Sequence, residues 1–187
     1  TGGVDPVTAD GQFVGWAVNR FGTATYNLSN GNGGTLPAYK TDGYLLFTRT
    51  SSHILFGASN TFSILNGAPA AFFAISVWVN SIPGVMVPIG IGTPTTTTSR
   101  FTPQINLDGS VTLNCRRDDT DANTAITSAA GAVAIGGYYT LSGQVICATG
   151  EMKLWINGVE AASGTLVNPG AAFSATNSAR VRIGAQV

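Results

Sequence analysis

At 187 residues the chain is long enough to bury one sizeable core and short for two. Charged residues make up 10% against about 25% in ordinary soluble domains, and the formal net charge is zero, so no long-range field draws the protein to phosphate backbones or anionic lipid. Nucleic acid and membrane are therefore not the expected partners. Exposed faces must be built from hydroxyl, amide and glycine, and the lack of net charge removes a repulsion that would keep identical chains apart. No stretch approaches the roughly 18 uncharged apolar residues of a membrane helix; Ala68 to Val79 comes nearest and stops at Asn80 and Pro83. The N-terminal residues Thr1 to Asp5 lack Met, a basic region and an apolar signal core, which reads as a processed product or an excised segment.

Residues 1–43 are rich in Gly, Asn and Thr and form a loop-rich beginning, with Gln12 to Val18 the only strand expected there and 30–34 (NGNGG) a loop. Gly43 to Arg49 and Ile54 to Phe56 read as the next strands. From Phe72 to Asn80 the sequence FFAISVWVN alternates, with Phe73, Ile75, Val77 and Val79 on one face. Gly84 to Gly92 continues as a strand in which Pro88 lacks a ladder donor, so an edge or a bulge is expected there. Thr95 to Thr98 mark a loop tip. Arg100 to Arg117 holds a hairpin that turns at Asp108-Gly109. The Ala-rich Thr124 to Ile135 is interrupted by Thr, Ser and Gly, which favours strand and loop over helix.

The segment on which the rest is organised is Tyr138 to Gly158. Leu141, Gly143, Val145 and Cys147 alternate with Ser142, Gln144 and Ile146; Thr149-Gly150 can turn; Met152, Leu154 and Ile156 alternate again; and Asn157-Gly158 is a type I′ hairpin signal, since both positions require positive φ. A meander follows, through Val159 to Leu166. The last strand, Ala179 to Ala185, carries Val181 and Ile183 on its inward face.

The order Tyr-Tyr-Thr-Leu-Ser-Gly, short turn, Lys-Leu-Trp-Ile-Asn-Gly resembles concanavalin A-like, laminin-G-like jelly rolls. Phe72 to Asn80 looks like the Phe-x-Ile-x-x-Trp-Val strand of that family, and Val181 to Gly184 like its penultimate strand. Asp10-Gly11, Val14, Trp16, the glycine loop and Pro37 resemble the beginning of bacteriophage jelly rolls. The resemblance, which covers most of residues 10–187, implies an all-β fold, an antiparallel β-sandwich of jelly-roll type, and the length of the chain fits one such domain over 1–187. Such relatives usually add a closing strand after the position of Val187, so an unpaired sheet edge is expected here.

Candidate chemistry is sparse. Jelly-roll glucanases place paired carboxylates on one strand as Glu-x-Asp-x-x-Glu, and here the only glutamates, Glu151 inside a tight turn and Glu160 just past the Asn157-Gly158 turn, read as solvated charges. His53 follows Ser51 and Ser52, but strand neighbours point to opposite faces and no orienting carboxylate is near in sequence. Asp119-x-Asp121-x-Asn123 copies the start of a calcium loop, yet Thr124 stands at the turn glycine and Ala130 at the closing glutamate; an acidic loop paired with Arg116 and Arg117 at the surface is preferred. Cys115 and Cys147 lie on strands that could be neighbours, and buried free thiols are preferred to a bridge. Trp16, Trp78 and Trp155 could form a sugar-stacking platform, with packing in the core or between sheets preferred.

No catalytic residue, no cofactor and no metal site is expected, and the chain is read as not an enzyme. The expected function is a structural or attachment module of a bacteriophage virion, a head-decoration or tail component. Its partners would be other virion proteins or identical chains, with weak cell-surface glycan contact as an added capacity. A secreted, extracellular carbohydrate-binding domain is the alternative, and a glucanase or polysaccharide lyase the third reading.

Overall fold

As a computed structural model, the protein is described at residues 16–17, 28–29, 38–41, 44–46, 55–57, 65–92, 99–118, 120–174 and 180–186, with the backbone alone at 16–17, 28–29, 38–40, 44–46, 55–57, 92, 99–100, 180–182 and 185–186. Its strands are β1 (Trp16–Ala17), β2 (Leu28–Ser29), β3 (Ala38–Lys40), β4 (Tyr44–Leu46), β5 (Leu55–Gly57), β6 (Ala70–Trp78), β7 (Met86–Gly92), β8 (Ser99–Ile105), β9 (Val111–Cys115), β10 (Thr124–Thr127), β11 (Tyr138–Ile146), β12 (Glu151–Ile156), β13 (Val159–Thr165) and β14 (Arg180–Gln186). Among the described residues there is no α-helix, and no helix long and apolar enough to cross a membrane.

The strands form a large sheet of eight in the order β1-β2-β5-β14-β7-β8-β9-β10, a small sheet of four in the order β13-β12-β11-β6, and the separate hairpin β3-β4. Every pairing is antiparallel. The two sheets pack face to face through the inward side chains of alternating strands. Phe73, Leu141, Val145, Met152, Leu154 and Ile156 come from the small sheet and meet Phe101, Ile105, Val111, Leu113 and Cys115 from the large one.

Period two decides which residues face inward. In β6 the buried and exposed positions alternate as the sequence requires, with Phe73, Ile75 and Val77 turned to the core. Register follows from these faces: Leu141 stands opposite Ile75 on one side and Ile156 on the other. Gly143 makes room in this layer, because a Cβ there would lie 2.4 Å from Cε1 of Phe73. The Asn157-Gly158 turn has φ of 52° and 79°, the type I′ geometry expected. It is tied back to β11: the Asn157 N–H donates to the Thr140 carbonyl at 2.8 Å, and Asn157 Oδ1 accepts from the Thr140 N–H at 2.8 Å.

One long side of the sandwich is closed where β10 of the large sheet meets β13 of the small one. Gly164 would place a Cβ only 2.6 Å from Cγ2 of Ile126, and the Val167 N–H donates to Thr124 Oγ1 at 3.0 Å.

Several expectations are corrected. Beyond Gln12 to Val18, the first 43 residues also supply β2, which pairs with β5 farther along the chain, and β3, which forms a short hairpin with β4. The β8–β9 turn is longer than Asp108-Gly109. The Asn106 N–H donates to the Ser110 carbonyl at 2.9 Å and the Gly109 N–H to the Asn106 carbonyl at 2.9 Å, so Leu107 leaves the strand and is exposed. Of the edge or bulge expected at Pro88, the structure has the second: β7 is paired to both β14 and β8, and the β8 pairing is irregular between Met86 and Ile91. β14 lies between β5 and β7. The Ala-rich segment, by contrast, is strand and loop as expected: the strand β10 followed by a turn-rich loop.

On β9 both faces are buried, against the alternation expected of a half-exposed strand. Thr112 and Asn114 face away from the core and are satisfied by neighbours on the same side. Asn106 Nδ2 donates to Thr112 Oγ1 at 2.9 Å, the Thr112 and Thr127 hydroxyls are 2.9 Å apart, and Asn123 Nδ2 donates to Asn114 Oδ1 at 2.7 Å.

Candidate functional site

The outward face of the small sheet gathers the exposed aromatic side chains of β6 and β11. The same alternation that buries Phe73, Ile75 and Val77 turns Phe72, Ala74, Ser76 and Trp78 the other way. Pairing then sets these in rows. Trp78 is opposite Tyr138; Ser76 is opposite Thr140; Ala74 is opposite Ser142, which faces Trp155 and then Glu160; Phe72 is opposite Gln144, which faces Lys153 and then Ser163.

Trp78, Tyr138 and Phe72 are 62%, 66% and 65% exposed, far beyond what packing needs, and Trp155, two strands from β6 on the same face, is half-buried. Between the aromatic groups the floor is made of short side chains: Ala74, Ser76, Thr140 and Ser142. The Ser76 and Thr140 hydroxyls lie 3.3 Å apart and exposed, free to exchange that contact for a ligand's hydroxyl groups. Taller rings thus rim a low floor of short side chains, three of the four bearing hydroxyl groups.

The ionic part of the face sits to one side. Lys153 Nζ is 3.5 Å from Glu151 Oε1 and 4.0 Å from Glu160 Oε2, and all three side chains are partly exposed, so the group adds little to stability. Glu151 is the first strand residue of β12 rather than a turn residue, a correction to the sequence reading, Glu160 lies on β13 just past the Asn157-Gly158 turn, and both are taken up by one lysine.

The preference for buried packing of the tryptophans is also corrected at Trp78. The inward stripe of β6 is already occupied by Phe73, Ile75 and Val77, so a residue one position later in the alternation has no place in the core. Trp16 lies where only the backbone is described. Phe72, Tyr138, Ser76 and Thr140 went unnoticed as site residues, although their parity with Trp78 and with the Asn157-Gly158 hairpin was readable.

The loop after β9 is organised internally. Asp118 Oδ1 accepts from the Thr120 N–H at 3.0 Å and the Thr120 hydroxyl at 2.9 Å, and Asp118 Oδ2 accepts from the Ser174 hydroxyl. Asp121 Oδ2 accepts from the Asp118 N–H at 3.0 Å and lies 3.8 Å from Arg117 Nη2, while Asp121 Oδ1 accepts from Asn168 Nδ2 at 3.0 Å. Arg117 also donates to the carbonyls of Asn168 and Ala172 at 3.4 and 3.3 Å. These carboxylates hold two loops together. Asn123 is spent on Asn114 and Asp119 lies outside the described residues, as do Ser51, Ser52, His53, 30–34 and Thr95 to Thr98. Among the described residues no group of three His, Cys, Asp or Glu side chains has the spacing of a metal site. Arg116, expected at the surface, is buried.

Cys115 and Cys147 are both buried, and no disulfide joins them. Burial pushes the Cys147 thiol up, against a smaller opposing pull from Arg117.

No protein-family model and no curated protein matches the sequence. Solved structures do. The CBM40 module of the Ruminococcus gnavus IT-sialidase, bound to α2,3-sialyllactose, is 18% identical with a TM-score of 0.51 over 63% of this chain and 64% of that one, so the match spans less than two thirds of the module. A family 7 alginate lyase in complex with product is 15% identical with a TM-score of 0.52 over 79% of this chain and 72% of that one. The leech intramolecular trans-sialidase is 18% identical with a TM-score of 0.51 over 64% of this chain and 19% of that one. Two packed antiparallel sheets with these neighbours make the fold a concanavalin A-like jelly roll.

Proposed function

We propose that this chain is a non-catalytic attachment module that holds glycan on the outward face of its small sheet. The observation that carries the reading is the Trp78–Tyr138 cross-strand pair, mostly exposed and bordered by the Ser76 and Thr140 hydroxyls. Aromatic rings offer flat apolar contact to the C–H faces of sugars, and short hydroxyl side chains both donate and accept with sugar hydroxyls. The glycan-binding neighbours support the reading by fold alone. Glu151 and Glu160, bound to one lysine in solvent, suit a surface ion group better than a general acid and base. Titrating the chain with polysaccharides should give saturable binding that weakens at least tenfold in Trp78→Ala, with no release of reducing ends or unsaturated sugars. Unaltered binding in that variant, or turnover by the pure chain, would end the proposal.

A second reading places the module in a bacteriophage virion. The zero net charge favours it, and so do the exposed apolar side chains Leu107 and Ile135, which a neighbouring chain could cover. Cosedimentation of the chain with virion particles would bear it out; a strictly monomeric chain that joins no particle would refute it.

A further inference from the structure

We infer that the ligand of this face is a neutral, extended oligosaccharide rather than an acidic glycan or a single sugar; the inference rests on the glycan-binding reading above. Charge is the first ground. The formally charged side chains on the described outward face are Glu151, Lys153 and Glu160, so the face is net negative, and its one lysine lies within 4.0 Å of both carboxylates. A carboxylated sugar brought onto this surface would meet repulsion from the glutamates and would have to compete with them for Lys153. The floor between the rings, built from Ala74, Ser76, Thr140 and Ser142, carries no formal charge and suits a ligand whose polar groups are hydroxyls.

Length is the second ground. Trp78 and Trp155 lie four residues apart along the strand direction, counted from Trp78 to the Ala74 row, and two strands apart across the sheet. At about 3.4 Å per residue and about 4.8 Å per strand, their Cα atoms are separated by about 17 Å, a span that one sugar ring cannot bridge. Tyr138 stands beside the first tryptophan, and the hydroxyl floor lies on the diagonal between the two. A chain of sugars crossing that diagonal would stack at each end and exchange hydrogen bonds in the middle.

The test is calorimetric titration of the full chain with neutral hexaoses of the cello, manno and malto series, with the matching monosaccharides, and with oligoguluronate and sialyllactose. The expected result is binding of at least one neutral hexaose, at least tenfold tighter than its monosaccharide, and weakened at least tenfold by Trp78→Ala and by Trp155→Ala. Lys153→Ala should change that affinity less than threefold, and each variant should melt cooperatively near the parent temperature. Binding of the acidic ligands alone, lost in Trp78→Ala, would overturn the neutral assignment while leaving the glycan-binding face in place. Equal affinity for monosaccharide and hexaose, or indifference to Trp155→Ala, would overturn the extended span. Binding of no sugar would remove both this inference and the reading on which it rests.

Discussion

The Phe73 and Phe101 rings meet edge to face across the two sheets, their centroids 5.5 Å apart and their planes at 69°. One comes from β6 and the other from β8, so the contact joins the layers directly, and both side chains are buried. Phe73→Ala should therefore cost about 3–5 kcal/mol, the range for emptying a large aromatic site in a core. Chemical denaturation of parent and variant measures it; a loss under 1 kcal/mol would show that this contact does not hold the layers.

Gly143 should tolerate no side chain. An added Cβ would lie 2.4 Å from the Phe73 ring and 3.0 Å from Cδ2 of Leu113, both in the core. Gly143→Ala is expected to destabilise by about 1–3 kcal/mol through overpacking, even though alanine suits a strand no worse than glycine. Pairing it with Phe73→Leu, which shortens the reach of the obstructing ring, should recover part of the loss, and additive effects in that double mutant would contradict the stated cause.

Reversing polarity on the inward stripe should be worse than emptying it. Ile75→Asp or Leu154→Asp would place a carboxylate among the core side chains with nothing to pair it, and neither variant should fold. A soluble Ile75→Asp protein with a cooperative thermal transition would show that the inward assignment of β6 is mistaken.

Acid should loosen the β8–β9 turn. The Ser110 hydroxyl and N–H both donate to Asp108 Oδ1, at 2.7 and 3.0 Å, and hold that carboxyl below its usual value. A depressed folded-state pKa means that the stabilisation is complete above the ordinary Asp range and lost as the pH falls through the folded value. The thermal midpoint of the parent should thus exceed that of Asp108→Ala near neutrality, and the gap should narrow on acidification below the ordinary Asp range. A gap that stays constant would assign the cost of the variant to something other than ionisation.

The two thiols should resist labelling until the sandwich opens. Cys115 and Cys147 are both buried, and the Cys147 thiol is pushed above its ordinary value by burial, so little reactive thiolate is presented. Maleimide labelling at neutral pH should be slow in the native protein and rapid in denaturant; fast native labelling of Cys147 would point to local opening near Ala68, whose carbonyl lies 3.9 Å from the sulfur.

Where alternation was strong, the fold was legible from the chain itself. Phe73, Ile75 and Val77, and Met152, Leu154 and Ile156, announced their faces by parity, and Asn157-Gly158 announced its turn by the backbone angles only such residues accept readily. Long-range pairing was not legible. The two residues of β2 carry no period, and their place beside β5 depends on partners far along the chain. The doubly buried β9 was missed because Thr112 and Asn114 look like solvent-facing residues until Asn106, Asn123 and Thr127 are seen to satisfy them. The candidate site was half legible. Trp78 and Trp155 were singled out, but whether a tryptophan of outward parity ends under another layer or in solvent depends on what the rest of the chain lays over it, which no local pattern carries.

β6 is printed on both sides. Its odd-numbered positions 71 to 77 hold the molecule together while its even-numbered positions 72 to 78 meet the surroundings, so the two sets can vary almost independently. A library randomised at 72, 74, 76 and 78 would leave the hydrophobic stripe intact, which makes this single ribbon a natural starting point for recombining recognition on an unchanged scaffold.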